Sequence, residues 1–414
     1  MAENLPNIAS LGDACCGCGA CAAKCPKGCI EMIADGRGFK RPAVDADICV
    51  GCGGCDSVCP AIGERAKDGA KSVIWAKSKD KCERLASSSG GLFGLLAREV
   101  LVSGGAVCGA AWVEGCKRVR HVIVEDEGRL DAIMRSKYVQ SSVDRDVYEG
   151  VREALRCGRR VLFAGTACQV AGMRAYLGNL ADNSGFLAVD VICHGVPSPL
   201  LWEKWAEHKE SAAVASLRDV NMRSKTTGWL SFSASYAYAY EAEKDGAQVS
   251  SSPKDSCVFG DDWYMKAFLA NASLRSSCFR CPVKRSCGSD VTLGDFWGIQ
   301  SVHPEVDYED GVSAVLCNTA RGAAAIEDVK PALEWGASSL ERVLPGNPSL
   351  VKSVAPYEEH DKFLKDLEEG VPIELMIETY RFQVPFSKQL CARLRGFARH
   401  VLKPIIKIVK GNQE

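Results

Sequence analysis

Two short cysteine-rich stretches decide the fold at the start of this chain: CCGCGACAAKCP (residues 15–26) and CVGCGGCDSVCP (residues 49–60). Both have the form Cys-x-x-Cys-x-x-Cys-x-x-x-Cys-Pro, and the second begins 34 residues after the first. Three thiolates at this spacing can surround one corner of an iron–sulfur cube, with neighbouring glycines letting the backbone come close. The fourth thiolate must then come from elsewhere in the chain.

In the two-cluster ferredoxin spacing, the cysteine before proline binds the other cluster. The repeat therefore predicts two 4Fe-4S clusters, one on Cys15, Cys18, Cys21 and Cys59, and one on Cys49, Cys52, Cys55 and Cys25. A pair of structural zinc sites is the alternative, although zinc ribbons usually place two Cys-x-x-Cys pairs well apart. Cys16 and Cys29 do not fit the spacing, and we interpret them as spare thiols.

Composition narrows the class of protein. The 414 residues are 47% apolar and 25% charged, which is typical of a globular chain of two or three domains. The 51 basic residues nearly balance the 52 acidic ones, so we expect no nucleic-acid partner. The stretch 1–13 lacks the pattern of a signal peptide, and we find no apolar run long enough to span a membrane. We therefore expect a cytoplasmic protein whose 22 cysteines are reduced and serve largely in metal binding.

Further cysteines lie far from the repeat. Cys278 and Cys281 form one Cys-x-x-Cys, a pattern equally compatible with zinc, a redox disulfide or chance, and Cys287 follows six residues later. Cys168 and Cys193 each come just after a short apolar stretch that predicts a buried strand, at 161–164 and 187–192. Ligands of open α/β sheets gather at the carboxyl ends of such strands.

Strands and helices alternate after about residue 72, which indicates an α/β domain. The alternating stretch 230–240 predicts a half-buried antiparallel strand, so the sheet is expected to be mixed. The predicted fold class is an α+β ferredoxin-like N-terminal module followed by an α/β domain with a mixed, mostly parallel sheet.

Neither standard nucleotide-binding loop is present. The nearest substitute is Ser87 to Gly91, ahead of an apolar helix, where small residues would offer N–H groups and hydroxyls to a phosphate. A plain helix cap is the other interpretation. The stretch 379–414 holds eight Lys or Arg against one acidic residue, with apolar residues at helical spacing. Such a helix either packs on its own protein or contacts an anionic membrane surface or acidic partner.

Several motifs together resemble one known family. They are FAGTACQ (163–169), CHGVPS (193–198) and DVTLGDFWG (290–298), the last following Cys278-x-x-Cys281, together with Ser87 to Gly91 and SKYVQS (136–141). Over about residues 1–320 the chain resembles the coenzyme F(420) hydrogenase/dehydrogenase beta-subunit family. Ala167 departs from the usual proline of that family. Members are flavin and iron–sulfur oxidoreductases, including deazaflavin-reducing subunits and the plant hydroxymethyl-chlorophyll reductase.

We predict four regions: a two-cluster ferredoxin-like domain (1–65), the N-terminal domain of the family (72–160), the C-terminal domain of the family (161–345) and, outside the resemblance, a helical basic tail (346–414). The resemblance also implies FAD, with candidate contacts at Ser89, Gly90, Gly91, Lys137, Tyr138, Gln140, Ser141, Thr166 and Gln169. A third 4Fe-4S cluster is implied on Cys168, Cys193, Cys278 and Cys281, with Cys287 as a reserve ligand and a core role for Cys168 and Cys193 as the alternative.

The function implied by the resemblance is an oxidoreductase that passes electrons between the clusters and FAD, in either direction, and on to a two-electron acceptor such as a deazaflavin. His194 is a candidate proton donor or a structural histidine, and Asp295 lines the site or caps a turn. The expected partners are ferredoxin or another redox protein and a small-molecule acceptor, and an oligomer is compatible with the sequence. The alternative is an electron-transfer module that serves a separate enzyme and has no substrate of its own.

Overall fold

The computed structural model describes residues 5–63, 69–239 and 254–382. They form a small N-terminal module, a body built on a large sheet, and a second, smaller sheet flanked by helices. The predicted fold class is confirmed.

The N-terminal module places each cysteine run beside a short helix, with a β-hairpin between the two runs. Its elements are α1 (Ala20–Lys24), β1 (Ile30–Ala34), β2 (Lys40–Val44) and α2 (Gly54–Ser57). Gly19 and Gly53 precede the helices in the left-handed backbone region, with φ of 83° and 68°. At Gly19 a Cβ atom would lie 2.3 Å from the Val143 carbonyl oxygen, so glycine is required where the module meets the body.

The body and the smaller sheet contribute the remaining strands of the described residues. They are β3 (Ser72–Ser78), β4 (Ala106–Val113), β5 (Arg118–Val124), β6 (Val161–Thr166), β7 (Phe186–Val191), β8 (Ser216–Ser224), β9 (Ser233–Ala239), β10 (Lys254–Val258), β11 (Val291–Asp295), β12 (Ser313–Cys317) and β13 (Leu333–Ala337).

Helices cover both faces of the large sheet and one side of the small one. They are α3 (Lys81–Ala86), α4 (Leu92–Val102), α5 (Arg145–Arg156), α6 (Ala167–Leu177), α7 (Pro199–Ala213), α8 (Trp263–Leu269), α9 (Ile299–Val302), α10 (Ala320–Val329), α11 (Leu340–Val343), α12 (His360–Glu368) and α13 (Ile373–Thr379).

The large sheet has eight strands in the order β13-β3-β12-β11-β7-β6-β4-β5. Its four central strands β11, β7, β6 and β4 are parallel, and the strands on both sides of them are antiparallel. β6 and β7 are apolar and buried on both faces, as expected for central parallel strands. The carboxyl ends of all four central strands therefore lie along one edge of the sheet.

One sheet joins the predicted ranges 72–160 and 161–345. β3 pairs with both β12 and β13, so its hydrogen bonds tie the first range to the second. The boundaries of the four regions remain predictions.

The predicted half-buried antiparallel strand is present as β9, with Ala234, Tyr236 and Tyr238 buried. It lies in the small sheet β10-β9-β8 and not in the large one, because its apolar face packs against α7 and α8. The large sheet is mixed through its outer strands instead.

The predicted tail (346–414) is described up to residue 382, where it contains α12 and α13, and its remaining residues, 383–414, lie outside the described residues. Within the part of the chain that the structure describes, no helix is both long enough and apolar enough to cross a bilayer.

Candidate redox centres

The first predicted ligand set, here called the inner set, consists of Cys15, Cys18, Cys21 and Cys59. All four side chains are buried. The thiols are close enough to act on one another, since burial, followed by the charges of Cys15 and Cys59, raises the pKa of Cys21 to about 12. Thiols this hard to ionise in isolation become thiolates when they bind a cationic iron centre.

The second predicted set, the outer set, consists of Cys25, Cys49, Cys52 and Cys55. These four cysteines line one small cavity. Cys52 is exposed and Cys49 partly so, whereas Cys25 and Cys55 are buried. The outer set is thus the one that reaches the protein surface.

Cys29 joins the outer set, although its place in the sequence did not suggest it. It lines the same cavity, and its sulfur lies 3.3 Å from that of Cys25. Cys29 lies four residues after Cys25, just before β1, and that position is the only signal that sequence reasoning had.

Among the described residues, no three Cys, His, Asp or Glu side chains converge closely enough to hold one metal ion. Tetrahedral zinc needs its sulfurs at about 2.3 Å from one atom, whereas thiolates around a four-iron cube are separated by the cube itself.

A third group of thiols surrounds another cavity, at the carboxyl edge of the large sheet. Cys168 is the second residue of α6, which directly follows β6, and Cys193 follows β7. Cys278 and Cys281 lie on and just after a short 3-10 turn before β11. All four line a cavity of about 50 Å³. We call them the third set.

Two more cysteines line this same cavity: Cys287, the reserve ligand, and Cys16, which the sequence analysis set aside. The structure therefore gathers six thiols here from four separate segments. Burial raises the pKa of Cys278 to about 12 and also raises that of Cys193. Which four of the six bind metal remains a prediction.

The module is fastened to the body beside this cavity. The fully buried Arg275 donates hydrogen bonds to the carbonyl oxygens of Cys15 (2.7 Å) and Lys40 (3.0 Å) and to Oε1 of Gln140 (3.0 Å). Tyr148 donates its hydroxyl to the Cys18 carbonyl oxygen at 2.8 Å. These contacts hold the inner set against the third set. The sequence around Arg275 and Tyr148 did not predict them.

Three of the predicted flavin contacts lie around Cys168. Thr166 and Gln169 form a capping box at the start of α6, and the Thr166 Oγ1 atom lies 3.2 Å from the Cys168 sulfur. Gln169 donates its side-chain amide to the Oγ of Ser141 at 2.9 Å. In this structure Thr166 therefore contacts Cys168 directly, and Gln169 links Thr166 to Ser141.

The Ser87 to Gly91 loop packs against the sheet. Ser89 donates its hydroxyl to the Val312 carbonyl oxygen, and the Gly90 amide donates to the Ser313 hydroxyl. A Cβ atom at Gly90 would lie 2.5 Å from the Ala76 carbonyl oxygen on β3. Glycine is therefore required at position 90 because the backbone of β3 lies close to it.

The extended segment 136–141 presents its candidate residues in two directions. Gln140 donates to the Cys16 carbonyl oxygen at 3.1 Å, and Tyr138 stacks on Phe268, with ring centroids 4.7 Å apart. Lys137 instead lines a cavity of about 310 Å³ beside Trp112, near the carboxyl end of β4. Burial, followed by the charge of Arg135, lowers the pKa of Lys137 to about 7.

The two predicted catalytic residues both have protein partners. His194 lines the third cavity, its Nε2 lies 2.6 Å from the Asn271 side-chain oxygen, and burial lowers its pKa. Asp295, at the end of β11, pairs with the buried Arg223 at 3.0 Å and accepts the Trp229 indole N–H at 2.7 Å.

Two family descriptions match this chain. Residues 14–62 match "4Fe-4S dicluster domain", and residues 158–342 match the C terminus of "Coenzyme F420 hydrogenase/dehydrogenase, beta subunit". These two matches confirm the predicted resemblance over the residues that they cover.

The two matches cover different groups of the candidate residues. The dicluster match contains all eight cysteines of the repeat, and the beta-subunit match contains the whole third set. The candidate flavin contacts at 89–91 and 137–141 lie outside both matches.

Solved structures and curated proteins were compared as well. One similar solved chain comes from the F420-reducing NiFe hydrogenase complex of Methanosarcina barkeri, with 17% identity, a TM-score of 0.44, and coverage of 77% of this chain and 95% of that chain. No curated protein matches.

Proposed function

We propose that this protein is an iron–sulfur flavoprotein oxidoreductase, which passes electrons between three 4Fe-4S clusters and FAD and on to a two-electron acceptor. The observation that carries the proposal is the third set. Four thiols from three remote segments line one cavity directly beside the docked dicluster module. Core cysteines have no reason to converge on a cavity, whereas cluster ligands do.

The burial of the three sets supports a direction from surface to interior. Cys52 of the outer set is exposed, the inner set is buried, and the third set lies behind it at the sheet edge. An exposed outer cluster suits exchange with a protein partner, such as ferredoxin or another redox protein in a reducing compartment such as the cytoplasm. Electrons can pass either way along the row.

A bound FAD would supply the storage of an electron pair that one-electron clusters lack. Two buried donors near the Ser87 to Gly91 loop favour an organic ligand there: within the described residues, Ser87 Oγ and Arg223 Nε have no hydrogen-bond partner. Arg223 also lies within reach of the Ser88 carbonyl oxygen and the Tyr138 hydroxyl. Together with Lys137 at its cavity, these cations would suit the phosphates of FAD.

His194 and Asp295 are proposed to serve the acceptor side of the site. His194 faces the third cavity with one ring nitrogen held by Asn271, which fixes the ring orientation for a proton transfer at the other nitrogen. Asp295 holds Arg223 and so positions that guanidinium. The acceptor we propose is a deazaflavin or another small organic molecule.

The test is anaerobic purification followed by iron, sulfide and flavin quantification. We expect about twelve irons and one FAD per chain, four irons for each cluster. About eight irons would contradict the third cluster, and absence of flavin would contradict the FAD assignment. Replacing Cys168 or Cys193 with Ser should remove about four irons, whereas replacing the exposed Cys157 should remove none.

A second function is favoured by the packing of the Ser87 to Gly91 loop, because Ser89 and Gly90 already bond within the protein. In that case the chain is an electron-transfer module for a separate enzyme. Flavin bleaching by a small substrate alone supports the oxidoreductase. Bleaching or cluster oxidation only in the presence of a protein partner supports the module.

A further inference from the structure

A short stretch after the beta-subunit match passes over one side of the third cavity. Residues 347–355 lie beyond residue 342, where that match ends. Pro348–Leu350 form a 3-10 turn, and Ser349 and Leu350 line the cavity. Leu350 is buried, whereas Val351 directly after it is exposed. We call residues 347–355 the strap, because on this side they lie between the cavity and the solvent.

Two side chains connect the middle of the strap with the third set. The Cys281 amide donates a hydrogen bond to the Ser353 hydroxyl at 3.0 Å. Lys284 donates to the carbonyl oxygens of Cys193 (2.7 Å) and Ser349 (2.5 Å), so its ammonium joins the strap to the backbone of a second predicted ligand. The strap is therefore bonded, directly or through one lysine, to two of the four predicted ligands.

Further hydrogen bonds fix both ends of the strap. Asn347 donates its side-chain amide to the Asp295 carbonyl oxygen at 3.0 Å, at the end of β11. Asn271 donates its side-chain amide to the Ala355 carbonyl oxygen at 2.8 Å. The strap can therefore leave the cavity only by breaking this network of hydrogen bonds.

We propose that the strap contains two positioning residues for the third cluster: Ser353, which holds the ligand Cys281, and Leu350, which forms an apolar wall beside the cluster. This inference rests on the proposed function, since it requires a cluster in the third cavity. A hydrogen bond to the backbone of a ligand fixes the direction of its side chain, and such outer partners support metal binding. Ser353 therefore favours occupancy of the third site.

Leu350 acts on the cluster through the polarity of its surroundings. Reduction adds one negative charge to a cluster, and water stabilises that charge better than an apolar side chain does. When the electron enters, no covalent bond of the strap forms or breaks. A smaller side chain at position 350 would admit water and make the third cluster easier to reduce.

The experiment compares Leu350→Ala, Ser353→Ala and Ser353→Thr with the control Val351→Ala, all in the full-length, anaerobically purified protein. Val351 is the neighbour of Leu350 in the strap, but its side chain is 41% exposed and is not part of the cavity lining. For each protein we would measure iron and sulfide content and the potential of each cluster by EPR-monitored titration.

We expect Leu350→Ala to keep its iron and to change the potential of the third cluster alone. At fixed ambient potential its ratio of reduced to oxidised cluster should rise about tenfold, which is about 59 mV for a one-electron couple. Ser353→Ala should lose more than half of the about four irons of the third cluster. Ser353→Thr, which keeps the hydroxyl, should retain them, and Val351→Ala should match the wild type.

Three results would overturn the inference: a wild-type potential of the third cluster in Leu350→Ala, full iron content in Ser353→Ala, or an equal change of potential in Val351→Ala. Should Leu350→Ala fail to fold, Leu350→Val decides instead, because it removes a single methylene group and should raise the potential by a smaller amount. An unchanged potential in that variant overturns the inference as well. A wild-type iron content of about eight refutes the proposed function itself, whatever the strap does.

Discussion

At the residue scale, one arginine fastens the dicluster module to the body. Arg275 is fully buried and donates to three acceptors, two of them backbone carbonyls of the module. Replacing it with Met leaves those acceptors buried and unpaired, so the free energy of unfolding should fall by about 2–4 kcal/mol. Anaerobic denaturant titration measures this. The exposed Arg280 provides the control, and an Arg280→Met variant that loses as much would remove the special role of Arg275.

Lys137 should make stability depend on pH. Its pKa is lowered to about 7 in the folded protein, against about 10.4 in the unfolded chain. Between these values the unfolded chain binds the extra proton, so the folded state gains stability as pH rises and bears the full cost of burial below pH 7. Relative to the wild type, Lys137→Met should therefore become more stable by about 3–4 kcal/mol as pH is lowered from 10 to 7. If the difference in unfolding free energy between Lys137→Met and the wild type were the same at pH 10 and at pH 7, the prediction would be wrong.

The residues that sequence reasoning found and missed differ in the range of their interactions. The repeat cysteines were identifiable because their spacing is itself the constraint imposed by a cluster. The sequence around Arg275 does not distinguish it from a surface arginine. Its burial results from contact with a loop 260 residues earlier in the chain. Cys16 was set aside because it falls outside the repeat spacing, and only the fold brings it to the cavity that Cys168 also lines.

At the scale of elements, the N-terminus of α6 orients a predicted ligand. The Thr166 hydroxyl caps the helix and lies beside the Cys168 sulfur. Thr166→Val should cost about 1 kcal/mol of unfolding free energy and lower the occupancy of the third cluster, measured as iron per chain. Thr166→Ser, which keeps the hydroxyl, should leave both unchanged. Full occupancy in the valine variant would show that the cap does not position Cys168.

The strands show which features of the sheets a local sequence pattern can predict. β6 and β7 were predictable because each is a short apolar run buried on both faces. The pairing of β3 with β12 and β13 was not, since those partners lie more than 230 residues later and the register is set by packing. For the same reason β9 was recognisable as a strand, while its membership of the small sheet was not.

At the scale of the whole molecule, the N-terminal module exposes four apolar side chains. They are Leu5, Ile33, Ile48 and Val50, exposed by 41–62%. Val50 also lines the cavity of the outer set. A redox partner that docks here would bury Val50, so Val50→Glu should slow reduction by ferredoxin about tenfold, equivalent to about 1.4 kcal/mol. Reduction by dithionite, which needs no docking, should be unchanged.

The control for this experiment is Val102→Glu, since Val102 is also an exposed valine and lies at the far end of α4. Stopped-flow absorbance of the clusters gives both rates. If reduction by ferredoxin were slowed equally in the two variants, the donor would not bind at Val50.

The Arg275 network also bears on how such a protein is assembled in the cell. With the module seated, the inner thiols are buried, whereas the outer set keeps Cys52 exposed and Cys49 partly so. We therefore expect an iron–sulfur carrier to fill the inner positions before the module closes against the body. The hydrogen bonds of Arg275 and Tyr148 would then hold the loaded module in place.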